Sequence, residues 1–321
     1  SLEKKAYEEC GGMIPYQKYG DFKAGRISGD FGALQPACKG KYSWGNIRNV
    51  LPGYICDDII EAMPSFGRRI SGYDGEDTLF AGIEARTSSP VRILRGDDMQ
   101  SLSLSGVYPV GEGAGYAGGI MSAAADGIRV ARRICLVRAA CALRAGKPAA
   151  FPTDTVMGLG VAVAYASDPL VLYDIKGRPS DKPIAWLVGG VDALDDYARD
   201  VPVYARELVE AHWPGALTVV VRANECVPAS YVSASGTIAL RMPDSKIALA
   251  LIDEVGCPLA TTSANVSGEE APAFADSLDE RIAKQCAWVL ADSALPSGLA
   301  STVVDCTGDA PVVLRQGDVY L

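Results

Sequence analysis

Cations and small alcohols stand at the ends of apolar, strand-like runs in five separate segments: Thr155; Lys176, Arg178 and Lys182; Thr237 and Arg241; Thr261, Ser263 and Asn265; Ser301 and Arg315. That set of groups suits phosphoryl or nucleotidyl transfer, where positioning and charge stabilisation carry most of the catalysis. Other chemistries lack their parts. His212 is the single histidine, which excludes multi-histidine metal sites and triads with several partners. No serine or thiol nucleophile is paired with a base, and no two acids have an obvious spacing. The GxxxxGK[ST] loop of ordinary P-loop ATPases is absent.

The elements that must position these groups are legible around them. The stretch FPTDTVMGLG reads as the end of a buried strand (Ala149, Ala150, Phe151), a Pro-broken turn, then Thr153, Asp154 and Thr155, closed by glycines. Gly158 and Gly160 would leave room for a ligand to reach the backbone; an ordinary strand and Asx-turn is the alternative. Residues 169–176 read as a helix that Pro179 stops, leaving Lys176 and Arg178 pointing the same way on a turning backbone. They suit a polyanion, or form a solvated basic turn. Residues 184–188 read as a central strand, 203–211 as a helix, and 212–221 as a turn into a β-prone strand, with His212 packed or helix-terminal. In residues 235–243, Thr237, Ala239 and Arg241 alternate onto one face, and Arg241 needs an acid or a bound carboxylate. Residues 247–255 form an amphipathic helix. The five hydrogen-bonding side chains within 261–267 follow an apolar strand end, where ligands sit in α/β sheets. Strands are expected at 287–290, in 297–306 and at 312–317.

Length favours two domains, and 49% apolar residues suffice for cores. Basic and acidic residues balance in 1–133, so the net charge of −9 falls on 134–321. An acidic half is a poor general nucleic-acid binder. No uninterrupted apolar run reaches membrane-spanning length, and the N-terminus lacks a signal-peptide core. Nine scattered cysteines without a CxxC argue for reduced thiols, most of them small core residues, and a cytoplasmic location.

In the first half, helical patches are expected at 46–50 and 57–63, a strand–turn–strand over 79–94, and a short strand at 106–110. A glycine loop at 111–119, carrying Glu112, feeds a helix from Ile120 with Ala123, Ala124, Ile128 and Ala131 on one face. The loop is an anion site or a tight strand–helix packing. Residues 128–145 continue as helix, so one helix or two abutting ones joins the halves with little hinge freedom, ending at Gly146. ARTSSPVRI (85–93) and YPVGEGAGYAGGIMSAAADGIRVA (108–131) resemble the C-terminal end of FAD-dependent dehydrogenase-type flavoproteins, over about residues 7–133. The resemblance implies an acid at Glu112 facing the ribityl chain. The dinucleotide-binding GxGxxG unit is missing, so FAD is not expected to bind this segment unaided.

PTDTVMGLG, KGRPSDKP, WPGALT, LRMP, TTSANVSG and STVVDC with LRQG, in this order, resemble the YrdC-like threonylcarbamoyl-AMP synthases over residues 134–321. The resemblance implies an α/β fold with a twisted mixed sheet and a concave cationic cavity, preceded by a smaller α+β flavoprotein-tail domain at 1–133. It implies that L-threonine, bicarbonate or CO2, and ATP yield threonylcarbamoyl-adenylate and pyrophosphate, for a partner transferase that modifies tRNA. By the same resemblance Thr155, Arg241 and Thr261 hold threonine. Arg178, Lys182, Thr237, Ser263, Asn265, Ser301 and Arg315 hold the nucleotide. Lys176 and Arg178 steady the charge of adenylyl transfer. Mg2+ is expected on the phosphates, with no protein metal cage.

The sequence departs from the family pattern at Met157, usually aromatic, at Ala216, usually Pro, and at Lys182, often Asn. Leu187 stands where many longer members carry a histidine. The chain ends soon after Arg315, so the further C-terminal domain of those members is not expected. Three alternatives stay open: an RNA-binding or regulatory module without turnover and with a weak tRNA contact, a carbamoyl-adenylate-forming domain, and an FAD-dependent oxidoreductase fragment.

Overall fold

The computed structural model describes residues 1–32, 34–84, 89–179, 183–292 and 294–321. They fall into two compact units, Ser1–Arg92 with Val110–Ala124, and Ile93–Pro109 with Ala125–Leu321.

The first unit is α+β. Its central strand Ile14–Lys18 runs parallel to Tyr42–Trp44 and antiparallel to Leu79–Ala81. The expected helical patches are the helix Ile47–Val50, where the Asn46 side chain accepts the Arg48 N–H, and part of the helix Gly53–Arg69. Tyr19, Phe22, Ile47, Cys56 and Met63 form its core. Gln17 is fully buried and its amide is satisfied by Arg26 O, Asn46 Oδ1 and the Ile47 N–H. Of the expected strand–turn–strand over 79–94, only the first strand forms. Residues 85–88 lie outside the described residues. Val91, Ile93 and Leu94 are exposed and unpaired as strand, and an isolated bridge joins Arg95 to Ser101 instead. The strand expected at 106–110 is also absent: Gly106 takes φ +79°, which breaks an extended run.

The helix Ile120–Arg144 is a single element of 25 residues, followed by Gly146 at φ +70°. Its inward face differs from the expected one. Ala124, Ile128 and Ala131 are exposed and Ala123 is only half-buried, whereas Asp126, Val130, Ala139, Ala140 and Leu143 are buried. The reason is an ion pair. Arg95, only 3% exposed, grips both Asp126 oxygens at 2.6 and 2.9 Å, and this turns the carboxylate inward in place of the alanines.

The second unit is α/β. Among the described residues its ten-stranded mixed sheet runs Trp288–Val289, Ala149–Phe151, Gly158–Ala162, Leu259–Ser263, Ala185–Leu187, Thr237–Arg241, Leu217–Ala223, Thr302–Asp305, Val312–Arg315, with Ala198–Arg199 also beside Leu217–Ala223. Three contacts within the main path are parallel, 288 with 149, 185 with 239, and 302 with 217; the others are antiparallel. Ala185–Leu187 is central, as the apolar run 184–188 implies. Strand alternation splits the core in two. Ala150, Trp186 and Ala260 pack with the helices Leu170–Lys176 and Val203–His212. Ala149, Phe151, Leu187 and Leu259 pack with the helices Ile120–Arg144 and Lys246–Val255. On that second face the helical cover stops near Leu187. The small and polar residues beyond it make a hollow. His212 is the last residue of its helix. No helix among the described residues is long and apolar enough to cross a membrane.

All nine cysteines are free. Only Cys10, Cys56 and Cys306 are buried, and Cys141 and Cys226 are exposed. Cys135, Cys257 and Cys286 are half-buried and pack against the two cores of the second unit, so most of the cysteines do lie in or against a core.

Candidate active site

Strand register builds the hollow. Leu187 pairs with Arg241, Thr218 with Val303, and Val303 with Arg315. The pairing of Val219 with Leu240 sets Thr218 next to Arg241, so Leu187, Arg241, Thr218, Val303 and Arg315 lie in one cross-strand row. A second row runs through Thr261, Ala185, Ala239 and Val220. Its small side chains floor a cavity of about 540 Å³.

Thr155, Arg178, Arg241, Thr261, Ser263, Ser301 and Arg315 all line this cavity, so segments up to 160 residues apart converge as expected. The Pro152 turn is held locally. Thr153 Oγ1 accepts the N–H groups of Thr155 and Val156 at 3.2 and 3.3 Å and bonds Thr155 Oγ1 at 3.0 Å. The N–H groups of Ser297 and Gly298 reach the carbonyls of Asp154 and Thr155, both at 2.9 Å.

Each arginine has its own anchorage. Arg241 donates from Nε to Gly215 O at 3.0 Å, from Nη1 to Thr155 Oγ1 at 3.0 Å, and from Nη2 to Asp154 Oδ1 at 2.6 Å. The acid that a strand arginine needs is thus Asp154. Arg315 donates to the Ser301 carbonyl at 2.8 and 3.1 Å and to Ser301 Oγ at 3.2 Å. Ser301 Oγ in turn meets Thr218 Oγ1 at 2.9 Å. Arg178 donates to Thr262 Oγ1 at 3.1 Å and Pro183 O at 3.3 Å, and its buried Nε has no partner. Burial, and then the charges of Arg241 and Arg178, lower the Arg315 pKa. Arg315 thus feels both other guanidinium groups across one space, a field that attracts a polyanion.

Three expected site residues stand elsewhere, and a fourth, Lys182, lies outside the described residues. Lys176 is the last residue of its helix and is buried rather than carried on the turn with Arg178. Its Nζ donates to the carbonyls of Ser263 and Asn265 and to Asn265 Oδ1, so it fastens the 263–265 loop from behind and is not on the cavity wall. Asn265 is turned into that loop as well, with its Nδ2 on Val266 O and Glu269 O. Thr237 lines an adjoining cavity of about 430 Å³, beside the Ser233 and Ser235 hydroxyls. The two cavities share Pro183, Val220, Ala239 and Leu314. The neighbours of Lys182 at 180 and 181 lie outside the described residues with it.

The glycines have a different task from the expected one. A Cβ on Gly160 would meet Thr261 Oγ1 at 2.8 Å and Phe151 Cε1 at 3.1 Å, and one on Gly158 would meet Thr261 Cγ2 at 3.0 Å. They admit the Thr261 and Phe151 side chains; Gly158 also lines the cavity, and Gly160 does not. Thr218 is a cavity residue that the motif reading passed over; Asp154 and Thr262 were named within their polar clusters but given no role of their own. Asp154 stood in the open between two threonines. Thr218 carried no signal beyond its hydroxyl.

The family described as Sua5/YciO/YrdC, telomere recombination, matches residues 141–317. This chain belongs to the Sua5/YciO/YrdC family. A second family, described as FAD-dependent protein, C-terminal domain-like, matches residues 1–87. The threonylcarbamoyl-AMP synthase of Bacillus subtilis is 37% identical over 185 residues, which are 57% of this chain and 54% of that protein. The structure of Pyrococcus abyssi Sua5 complexed with L-threonine superposes with a TM-score of 0.54 at 36% identity, over 57% of this chain and 54% of that one. Escherichia coli YciO gives a TM-score of 0.53 at 26% identity, over 58% of this chain and 90% of that one. The chain spans about half the length of the Bacillus and Pyrococcus relatives. The family match covers the whole cavity wall.

Proposed function

We propose that this Sua5/YciO/YrdC chain is an L-threonylcarbamoyladenylate synthase. The threonine nitrogen takes up CO2, a carbamate oxygen attacks the α-phosphorus of ATP, and pyrophosphate leaves. The observation that carries the reading is the convergence of Arg178, Arg241 and Arg315 on one cavity, with hydroxyls of Thr155, Thr261, Ser263 and Ser301 between them. Its volume, with the adjoining cavity, lies in the range of small-molecule sites.

In this reading Arg241 forks the threonine carboxylate, and Thr155 and Thr261 complete that end. Arg178 and Arg315 face the phosphates and offset the charge that grows on the departing pyrophosphate. Ser263 and Ser301 donate to phosphate oxygens, and Thr237 meets the nucleoside in the adjoining cavity. Lys176 and Asn265 act indirectly, by holding the loop that carries Ser263. No group of three or more His, Cys, Asp or Glu among the described residues could cage a metal. In this reading Mg2+ would ride on the phosphates and neutralise them there. The product, an activated carbamoyl adenylate, suits a transferase acting on tRNA in the cytoplasm. The name of the Bacillus enzyme and the threonine-bound Pyrococcus structure support L-threonine as a substrate.

The test is pyrophosphate release from ATP and bicarbonate, with and without L-threonine. Threonine-dependent release is expected. Release that ignores threonine would favour a carbamoyl-adenylate-forming domain. No release under either condition would favour a binding module and end the synthase reading.

A further inference from the structure

The three cavity arginines are not electrically equivalent. Arg241 and Asp154 form an ion pair at 2.6 Å with side chains 7% and 16% exposed. Arg178 is held by a threonine hydroxyl and a carbonyl, and Arg315 by the carbonyl and hydroxyl of one serine. Among the described residues neither has a carboxylate partner. Asp154 stands behind Arg241 rather than on the cavity wall; Glu270, the acid that does line the wall, is exposed and pairs with none of the three. The cavity therefore has a neutralised end and a cationic end.

We propose that Asp154 determines which anion occupies which end. By compensating Arg241 alone, it reserves that guanidinium for a singly charged ligand, the amino-acid carboxylate, and leaves the polyphosphate to Arg178 and Arg315. This rests on the synthase reading and deepens it. Two features make Asp154 fit for the task. A guanidinium has five N–H donors, and Gly215, Thr155 and Asp154 engage three of them. One N–H is left on each terminal nitrogen, the number a single carboxylate takes. The second feature is charge. Coulomb energy scales with the product of the charges, so a fixed negative charge beside Arg241 opposes a triphosphate several times more strongly than it opposes a monoanion. Asp154 is also firmly placed, because the Ser297 N–H holds its carbonyl and Ser245 Oγ holds that of Pro152. Asp154 acts through Arg241 and is a positioning and specificity residue, not a catalytic one.

The experiment uses inorganic tripolyphosphate as the probe, with L-threonine binding read by calorimetry on the full chain. In the wild type, tripolyphosphate should leave the threonine affinity unchanged. In Asp154→Asn, which keeps an oxygen for Arg241 but no charge, tripolyphosphate should compete with threonine, with an inhibition constant lower by about tenfold or more. Asp154→Glu keeps the charge and should keep the wild-type pattern, and it serves as the second variant if Asp154→Asn does not fold. A merely structural role would weaken binding in both variants without making the probe compete. Absence of competition in Asp154→Asn, or equal competition in Asp154→Glu, overturns the proposal while the synthase reading stands. A wild type that binds no threonine overturns both.

Discussion

Lys176 Nζ donates to the carbonyl of Asn265 at 2.6 Å and to its side-chain oxygen at 3.0 Å, so a buried ammonium ties a helix end to the loop that carries Ser263. Burial, aided by the charge of Arg178, brings its pKa down to about 8 from an ordinary 10.5. Below pH 8 both folded and unfolded chains hold this proton, and the cost of burying it is present in full. Between about 8 and 10.5 the unfolded chain holds it more firmly, so the stability contributed by this group rises with pH across that window. Melting temperatures of the wild type and Lys176→Met should therefore diverge in favour of the wild type as pH climbs through the window. A constant difference would show that the lysine is not desolvated.

Arg178→Ala and Arg241→Ala should both lose turnover, by about a hundredfold or more if each offsets charge in the transition state. Their stabilities should differ. Arg178 gives up only a hydroxyl and a carbonyl contact, so its loss should cost within about 1 kcal/mol. Arg241→Ala strands Asp154 in a nearly closed site, at a cost of about 3 kcal/mol. Adding Asp154→Asn should restore much of that stability. Denaturant titration of the three variants checks the order, and pyrophosphate release checks the activity.

Gly160→Ala should destabilise the second unit by about 1–3 kcal/mol, because its Cβ would press on Thr261 Oγ1, Ala260 O and Phe151 within a fully packed sheet. Thr261 lines the cavity and Gly160 does not, so a displaced Thr261 should also weaken threonine binding. An unchanged melting temperature would mean that the sheet gives way freely at this point.

Burial pushes the thiols of Cys286 and Cys306 up to about 11, the latter aided by Asp305. Near neutral pH, alkylation of the native chain should modify the exposed Cys141 and Cys226 and spare Cys286 and Cys306 until denaturant is added. Mass spectrometry of the peptides reads the pattern. Early modification of Cys306 would place it outside the core.

The sequence was most legible where a local rule acts. Period-two alternation put Ala239 and Arg241 on one face of their strand, and the structure has both on the cavity wall. It was least legible where a distant partner decides. The inward face of the helix Ile120–Arg144 is set by Arg95, 31 residues before Asp126, and no periodicity within the helix reports that charge. Lys176 and Arg178 are two residues apart and looked equivalent. Gly177, at φ +59°, closes the helix between them, so Lys176 turns under the loop and Arg178 emerges on the wall.

The motifs by themselves determined the kind of groups present, the elements that carry them, and the family they resemble. Tertiary structure decided which cations share a space and which one is neutralised. Alternation fixes the face of each strand separately. Only the register between strands, set by packing and turn geometry, puts Arg241, Thr218 and Arg315 in one row, and only the fold brings Asp154 to Arg241, 87 residues away.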